Sequence, residues 1–240
     1  AAWQKLEQAI AAVRTPQDAM RVYQSVMIFR EFRGQLNSAV EAAERRNEAI
    51  AQYNPPVQTL VSRMNTLGLY VRAGRAAEAE RILDQIREAM RGQLADFWRV
   101  GDLLVAIELR DSTRLQESIA AMQQIMESFG IRTYESDLEH GRAVLAELRG
   151  DWNAALQAYQ RQKELDPQDA TVNRHLARAL RQVGRLEEAA RVTDEHLRSA
   201  PMSPQSNLEA ARIALQAGDR ARARQHLSRV QQAWAGAAAG

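Results

Sequence analysis

Three arginines near the C-terminal end of the chain share one face of a predicted helix. Arg174, Arg178 and Arg181 follow one another at spacings of four and three residues, so a helix would present them as a single stripe. Like charges placed so closely repel one another, and guanidinium groups bind carboxylates in a bidentate geometry. The stripe therefore predicts an anion site, filled either by an acidic or C-terminal segment of a partner protein or by Glu147, Glu209 and water.

The sequence offers no comparable set of residues for catalysis or for metal binding. His140, His175, His196 and His226 are not at metal-ligand spacing, and the chain contains no cysteine. Neither a phosphate-binding glycine loop nor a nucleophile elbow is visible. We therefore predict that the protein is not an enzyme, with no catalytic residue, no cofactor and no metal.

Composition and charge indicate a helical protein whose partners are not nucleic acids. Aromatic residues make up only 5% of the chain, and alanine, leucine, arginine, glutamate and glutamine dominate. The formal charge is +2 overall, and residues 170–240 carry 11 basic against 6 acidic side chains. This excess is modest for a dedicated nucleic-acid binder, so the sequence argues against nucleic acid as the partner.

The elements that must position the arginines are identified by a repeat of 34 residues. Glycines and alanines recur at this interval in one register, as three sets of three: Gly150, Gly184 and Gly218; Ala155, Ala189 and Ala223; Ala143, Ala177 and Ala211. Glycine permits a tight turn at the end of a helix, and alanine permits two helices to cross closely. The pattern thus predicts stacked helical hairpins in which Gly150 ends the first helix, Asp151 caps the second and Pro167 precedes the next hairpin.

Residues 136–169, 170–203 and 204–237 resemble the tetratricopeptide-repeat family in this register. The family places a proline near the end of its unit, as do Pro167 and Pro201, whereas the third unit has Ala235 instead. The large residue that the family carries near position 4 is replaced by polar residues, namely Glu139, Asn173 and Asn207. The resemblance implies an all-α fold, an α-solenoid of helix-turn-helix repeats that binds other proteins.

Upstream of residue 136 the resemblance continues in weaker form. A unit with Gly74 at its turn, and a degenerate unit over residues 99–132 in which the sequence RDST replaces the glycine, extend the predicted stack. About five helix pairs would then run from residue 59 to residue 237, with short insertions near 93–98 and 133–135.

In tetratricopeptide-like stacks the first helix of each pair lines a concave groove. Carried onto this sequence, the resemblance implies a partner-binding groove on the first helices of the three C-terminal units. The predicted groove residues are His140, Arg174, Arg178, Arg181, Gln182, Gln205, Arg212 and Gln216.

Residues 1–56 differ from the repeats. Thr15-Pro16 predicts a helix start, and a heptad-like apolar pattern from Val22 to Ile50 predicts one long helix or two helices broken at Gly34. This region would either pair with a second chain as a homodimer or cap the first repeat, and Asn54-Pro55-Pro56 would end it. The predicted organisation is completed by degenerate repeats at 57–135, three repeats at 136–237 and a frayed tail at 238–240.

We interpret the chain as a scaffold or adaptor that binds a partner peptide or protein in the groove. One alternative is a regulatory or sensor module of a larger enzyme or transcription regulator, and another is an RNA-binding helical-repeat protein. The sequence contains no apolar span of membrane length. A bacterial cytoplasmic protein, a periplasmic protein and the soluble domain of an anchored protein all fit.

Overall fold

The computed structural model describes residues 2–53, 55–91, 96–167 and 169–238, whose regular structure is entirely helical. The all-α prediction is confirmed. Fourteen helices lie in these ranges: α1 Ala2–Ala11, α2 Pro16–Phe32, α3 Leu36–Tyr53, α4 Pro56–Met64, α5 Leu67–Arg72, α6 Ala76–Ala89, α7 Arg99–Leu109, α8 Ser112–Phe129, α9 Glu135–Leu148, α10 Trp152–Leu165, α11 Ala170–Gln182, α12 Leu186–Ser199, α13 Pro204–Gln216 and α14 Arg220–Ala238.

The chain divides into two compact units, Ala1–Leu109 and Arg110–Gly240. The first contains α1 to α7 and the second α8 to α14, so the two helices of the degenerate repeat at 99–132 belong to different units. The predicted boundaries after residues 56 and 135 stay predictions.

The N-terminal part of the first unit is a helix pair. Thr15 starts α2 with a capping box, in which its hydroxyl accepts from the Asp18 amide and its own amide donates to the Asp18 carboxylate. Gly34 then adopts a left-handed conformation, with φ of 73°, and the chain turns back into α3. The apolar pattern from Val22 to Ile50 is therefore folded on itself, with Val26 and Ile50 both buried. Homodimerisation through this region stays a prediction.

The rest of the first unit is built around α5, which packs against α3, α6 and α7. The first helix of the upstream repeat is divided at Asn65 and Thr66 into α4 and α5, and Gly74 forms the turn into α6 with φ of 77°. Met64, Leu67 and Tyr70 are buried core residues. Asn54, and residues 92–95 in the predicted insertion, lie outside the described residues.

In the second unit, α9 with α10, α11 with α12 and α13 with α14 form the three predicted helix pairs. The turn glycines are all left-handed, with φ of 75°, 81° and 82° at Gly150, Gly184 and Gly218. The six repeat alanines are at most 1% exposed. Small side chains at these positions let neighbouring helices approach closely, as the sequence predicted.

Side-chain caps begin several helices of this unit, although α9 and α12 have none. The carboxylate of Asp151 accepts from the Ala154 amide, that of Asp169 from the Thr171 amide, and the Ser203 hydroxyl from the Ser206 amide. Helix α14 ends at Ala238, the first residue of the predicted tail. Residues 239–240 of that tail lie outside the described ranges.

Candidate functional site

The predicted arginine stripe lies on α11, between the first helices of the neighbouring repeats. Arg178 reaches Glu147 on α9, and Arg181 reaches Glu209 on α13. Helices α11 and α13 are also in direct contact. The first helices α9, α11 and α13 therefore form one row, which ion pairs join from both sides of α11.

Glu147 is the most buried acidic group of this row, with no exposed side-chain surface. Its carboxylate accepts from Arg178 Nε at 3.1 Å, from the Tyr159 hydroxyl at 2.9 Å and from Arg110 Nη1 at 3.1 Å. A buried carboxylate needs such charged and neutral donors to offset its desolvation. Burial and Glu147 both raise the pKa of Tyr159, which keeps this phenol a neutral donor.

Glu209 has a similar role on α13 and is almost as buried. Its Oε1 lies 2.6 Å from Arg181 Nε, and its Oε2 lies 3.4 Å from Arg212 Nη1. The Arg181 side chain is only 14% exposed, whereas that of Arg212 is 53% exposed. Gln216 donates to the Arg181 carbonyl oxygen at 3.4 Å. Arg181 therefore joins helices, while Arg212 presents its charge to solvent.

We use the name arginine face for the surface formed by these groups on α9, α11, α13 and the turn before α8. Its members are Arg110, Arg174, Arg178, Arg181 and Arg212 with the acidic residues Glu147 and Glu209.

Two histidines and a tyrosine pack together beside the arginine face. The ring centroids of His140 and His175 are 5.2 Å apart, and Tyr159 stacks on His175 at 5.4 Å. Arg174 Nη2 lies 3.0 Å from His175 Nε2. Burial lowers the pKa of His140 to about 4, and burial together with the nearby arginines lowers that of His175. Both imidazoles are therefore neutral at pH 7.

The structure does not gather all of the predicted groove residues into one cluster. His140 and the four arginines lie on or beside the arginine face, and Gln216 contacts it. Gln182 and Gln205 are exposed at the end of α11 and the start of α13. The grouping of these eight residues as a binding site stays a prediction.

Sequence analysis missed Arg110, Tyr159 and His175 as members of this assembly. Arg110 stands in the turn before α8 with φ of 54°, a left-handed conformation that is uncommon for a residue with a side chain. Its position in the RDST sequence, where the other repeats have glycine, was the only available signal. Tyr159 is fully buried in α10, and its hydrogen bond to Glu147 has no signature in the sequence.

The described residues offer two further observations about site chemistry. No group of three or more histidine, aspartate or glutamate side chains among them is arranged to hold a metal ion. None of the helices formed by these residues is both long and apolar enough to cross a membrane.

Comparisons with known proteins agree with this architecture. A family model described as a tetratricopeptide repeat matches residues 146–210. A tetratricopeptide repeat protein from Parabacteroides merdae ATCC 43184 has a similar structure, with a TM-score of 0.53 and 13% identity over 89% of this chain and 78% of its own.

Two other solved structures have lower TM-scores. YrrB, described as a tetratricopeptide protein with an unusual peptide-binding site, has a TM-score of 0.45 and 17% identity over 78% of this chain and 90% of its own. A double mutant of MamA RS-1 has a TM-score of 0.48 and 14% identity over 72% of this chain and 93% of its own. The comparison with curated proteins finds no match.

The family match runs from the end of α9 into α13 and includes the turns at Gly150 and Gly184. The similarity to the Parabacteroides merdae protein extends the same fold over most of the chain. Together these findings show that residues 146–210 match the tetratricopeptide repeat and that most of the chain has the fold of a tetratricopeptide repeat protein.

Proposed function

We propose that this protein is an interaction scaffold that binds a partner peptide or protein segment along helices α9, α11 and α13. Tetratricopeptide repeats generally act as non-catalytic scaffolds, because their stacked helices form extended binding surfaces. We extend that general role to one surface of this chain, the arginine face.

The surplus of positive charge on the arginine face carries the proposal. Among the described residues it contains five arginines, against the acidic side chains of Glu147, Glu209 and the neighbouring Asp137. Glu147 and Glu209 are occupied by Arg178 and Arg181, whereas Arg212 keeps about half of its side chain exposed. A surface charged in this way favours an anionic ligand.

A partner segment with acidic side chains or a free C-terminal carboxylate fits this chemistry. Guanidinium groups form charge-assisted hydrogen bonds with carboxylates, and these are stronger than hydrogen bonds between neutral groups. The exposed Gln182 and Gln205 offer amide groups that could pair with the backbone of an extended peptide. The proposed site thus combines charge recognition with hydrogen bonding to the peptide chain.

The test should avoid the arginines that hold the helices together. Reversing Arg178 or Arg181 would leave a buried carboxylate unpaired and would disturb the fold as well as the surface. We therefore choose the double variant Arg174→Glu/Arg212→Glu, with Arg191→Glu as the control, because Arg191 is exposed on the second helix α12.

Affinity capture from the source organism, at low and at physiological salt, compares the three proteins. We expect the wild type and Arg191→Glu to retain the same partner, and the double variant to lose it. Retention of that partner by the correctly folded double variant, with unchanged salt dependence, would show that the arginine face is not the binding surface.

A further inference from the structure

The first C-terminal repeat differs from the other two at one register position of its first helix. Glu139, Asn173 and Asn207 occupy this position in successive repeats, where the family has a large residue. Asn207 Nδ2 donates to the carbonyl oxygen of Pro201 at 2.8 Å, and Asn173 Oδ1 accepts from Lys163 Nζ at 2.6 Å. In the second and third repeats, the polar side chain at this position is therefore hydrogen-bonded to another group of the same chain.

Only one of the two carboxylate oxygens of Glu139 has a hydrogen-bond partner among the described residues. The residue is 7% exposed, and its Oε1 accepts from Arg142 Nη1. Its Oε2 is buried and has no hydrogen-bond partner among the described residues. Arg161 Nη1 lies 3.9 Å away, beyond hydrogen-bond distance. A buried carboxylate oxygen without a donor is unfavourable, so this atom identifies a place where a donor is missing.

Glu139 lines a cleft between α8, α9 and α10. Helix α8 ends at Phe129 with Gly130 as its left-handed C-cap, and residues 130–134 connect it to α9. The cleft has a volume of about 630 Å³, and its apolar walls include Met126, Ile131 and Leu165.

The charges around the cleft favour a cation. Its lining contains four glutamates against three arginines, which gives a formal charge of −1. Arg132 is already paired with Glu135 at 2.7 Å, and Arg142 with Glu139. The third arginine, Arg161, has a side chain that is 60% exposed, so it can rotate aside at the cost of one long ion pair.

The cleft is separate from the arginine face. At 3.6 residues per helical turn, Glu135, Glu139 and Arg142 lie about 120° around α9 from His140 and Glu147. A ligand in the cleft therefore leaves the proposed groove open, and the two sites can be tested independently.

We propose that this cleft binds an amphipathic cation, an alkylammonium or alkylguanidinium group whose charged end donates a hydrogen bond to Glu139 Oε2. Its aliphatic part lies against Met126, Ile131 and Leu165. This chemistry is found both in free alkylamines and in the lysine or arginine side chains of a peptide. Glu139 is not one of the alanine positions that recur every 34 residues, so the proposed binding does not depend on those positions.

The test titrates the full ¹⁵N-labelled chain with hexylammonium chloride, with uncharged 1-hexanol and with the blocked peptide N-acetyl-Leu-Lys-Leu-amide. We expect the cationic probes to cause saturable chemical-shift changes at residues 130–139 and 161–165. Hexanol should bind about tenfold more weakly, since it lacks a charged hydrogen bond. Tighter binding of the peptide than of hexylammonium would indicate that the natural ligand is a side chain of a protein. Tighter binding of hexylammonium would indicate a free amine.

Two variants and one control complete the experiment. Glu139→Gln should weaken hexylammonium binding about tenfold, because it removes the charge and keeps the shape. Leu165→Lys should also weaken it, since a lysine at this half-exposed position places a competing cation beside the cleft. Glu164→Gln, which changes another lining carboxylate, should have a smaller effect. Equal binding of hexylammonium to the wild type and both variants, or equal binding of hexylammonium and hexanol, would overturn the proposal.

Discussion

Glu147 places a negative charge in a side chain with no exposed surface, and three side chains from different parts of the second unit donate to it. Replacing it with glutamine keeps the shape but leaves the guanidinium of Arg178 without its counter-charge. Because breaking a buried ion pair from one side is costly, we expect Glu147→Gln to lower the free energy of unfolding by about 3 kcal/mol. Urea denaturation followed by circular dichroism measures the change.

The matched control is an exposed ion pair in the same unit. Asp194 pairs with Arg222 at 2.6 Å, and both side chains are 40% exposed or more. We expect Asp194→Asn to cost less than about 1 kcal/mol, since exposed pairs contribute little. Similar losses for the two variants would mean that Glu147 is not an organising residue of the row.

The two neutral histidines should make the second unit sensitive to acid. The folded-state pKa of His140, about 4, lies below the value of 6.5 expected for the unfolded chain. The unfolded state therefore binds more protons between these values, and stability falls as the pH is lowered from about 6.5 to about 4. His175 contributes in the same direction. We expect the double variant His140→Gln/His175→Gln to lose less stability than the wild type between pH 7 and pH 5.

Asp137 acts in the opposite direction over part of the same range. Burial and the nearby Asp169 and Asp166 raise its pKa to about 6, so the folded state gains a proton there that the unfolded state does not. Lowering the pH through 6 thus stabilises the fold at this residue. In an Asp137→Asn background the acid-induced loss should be larger, and equal pH profiles for all of these variants would contradict the assignment.

At the scale of single residues, the sequence predicted which side chains carry charge but not which of them bind each other. The spacing of Arg174, Arg178 and Arg181 placed them on one helical face, and Glu147 and Glu209 were considered as their partners. The structure pairs Arg178 with Glu147 and not with a partner's carboxylate, because Glu147 is buried beside it. That burial depends on packing between α9 and α11, and the two residues are 31 positions apart in sequence. The absence of a hydrogen-bond partner for Glu139 Oε2 also depends on such packing. The sequence showed only that a glutamate stands where the family has a large residue.

The helices depend on small residues at their crossings, and Ala223 provides a direct test. It is 1% exposed in α14, whereas Ala221 in the same helix is exposed. We expect Ala223→Leu to destabilise the protein by about 1–3 kcal/mol, because added methylene groups have no room in a close-packed core. Ala221→Leu should change the stability by less than about 0.5 kcal/mol. Thermal unfolding compares them, and equal midpoints would mean that the alanine register does not set the helix spacing.

Among the elements, the sequence predicted the helices that glycine and proline delimit and missed those that lack such residues. The three repeats at 136–237 were found because each has a glycine turn at the same offset. Helix α1 was missed, since its contacts with the rest of the unit, such as Trp3 stacked on Phe29, are tertiary. The division of one helix into α4 and α5 also has no glycine or proline at Asn65 and Thr66 to indicate it.

The whole molecule comprises two compact units of 109 and 131 residues, each in the size range of an independently folding domain. In repeat proteins, stability is approximately a sum of local terms and interactions between neighbouring repeats. Local destabilisation can therefore remain within the unit where it occurs. Two matched glycines allow this to be tested, because Gly74 in the first unit and Gly184 in the second have similar left-handed conformations, with φ of 77° and 81°.

Beyond its own residue and the two chain neighbours, a Cβ added at either glycine would have no heavy atom within 4 Å, so the cost of alanine comes from the backbone alone. That cost is about 1–2 kcal/mol for a residue in the left-handed region. We expect Gly74→Ala to increase hydrogen exchange in α1 to α7 only, and Gly184→Ala in α8 to α14 only, as measured by mass spectrometry of peptic fragments. Faster exchange in both units from either variant would show that the chain unfolds as one cooperative body. Destabilising a single turn would then make opening easier on both sides of the boundary between Leu109 and Arg110.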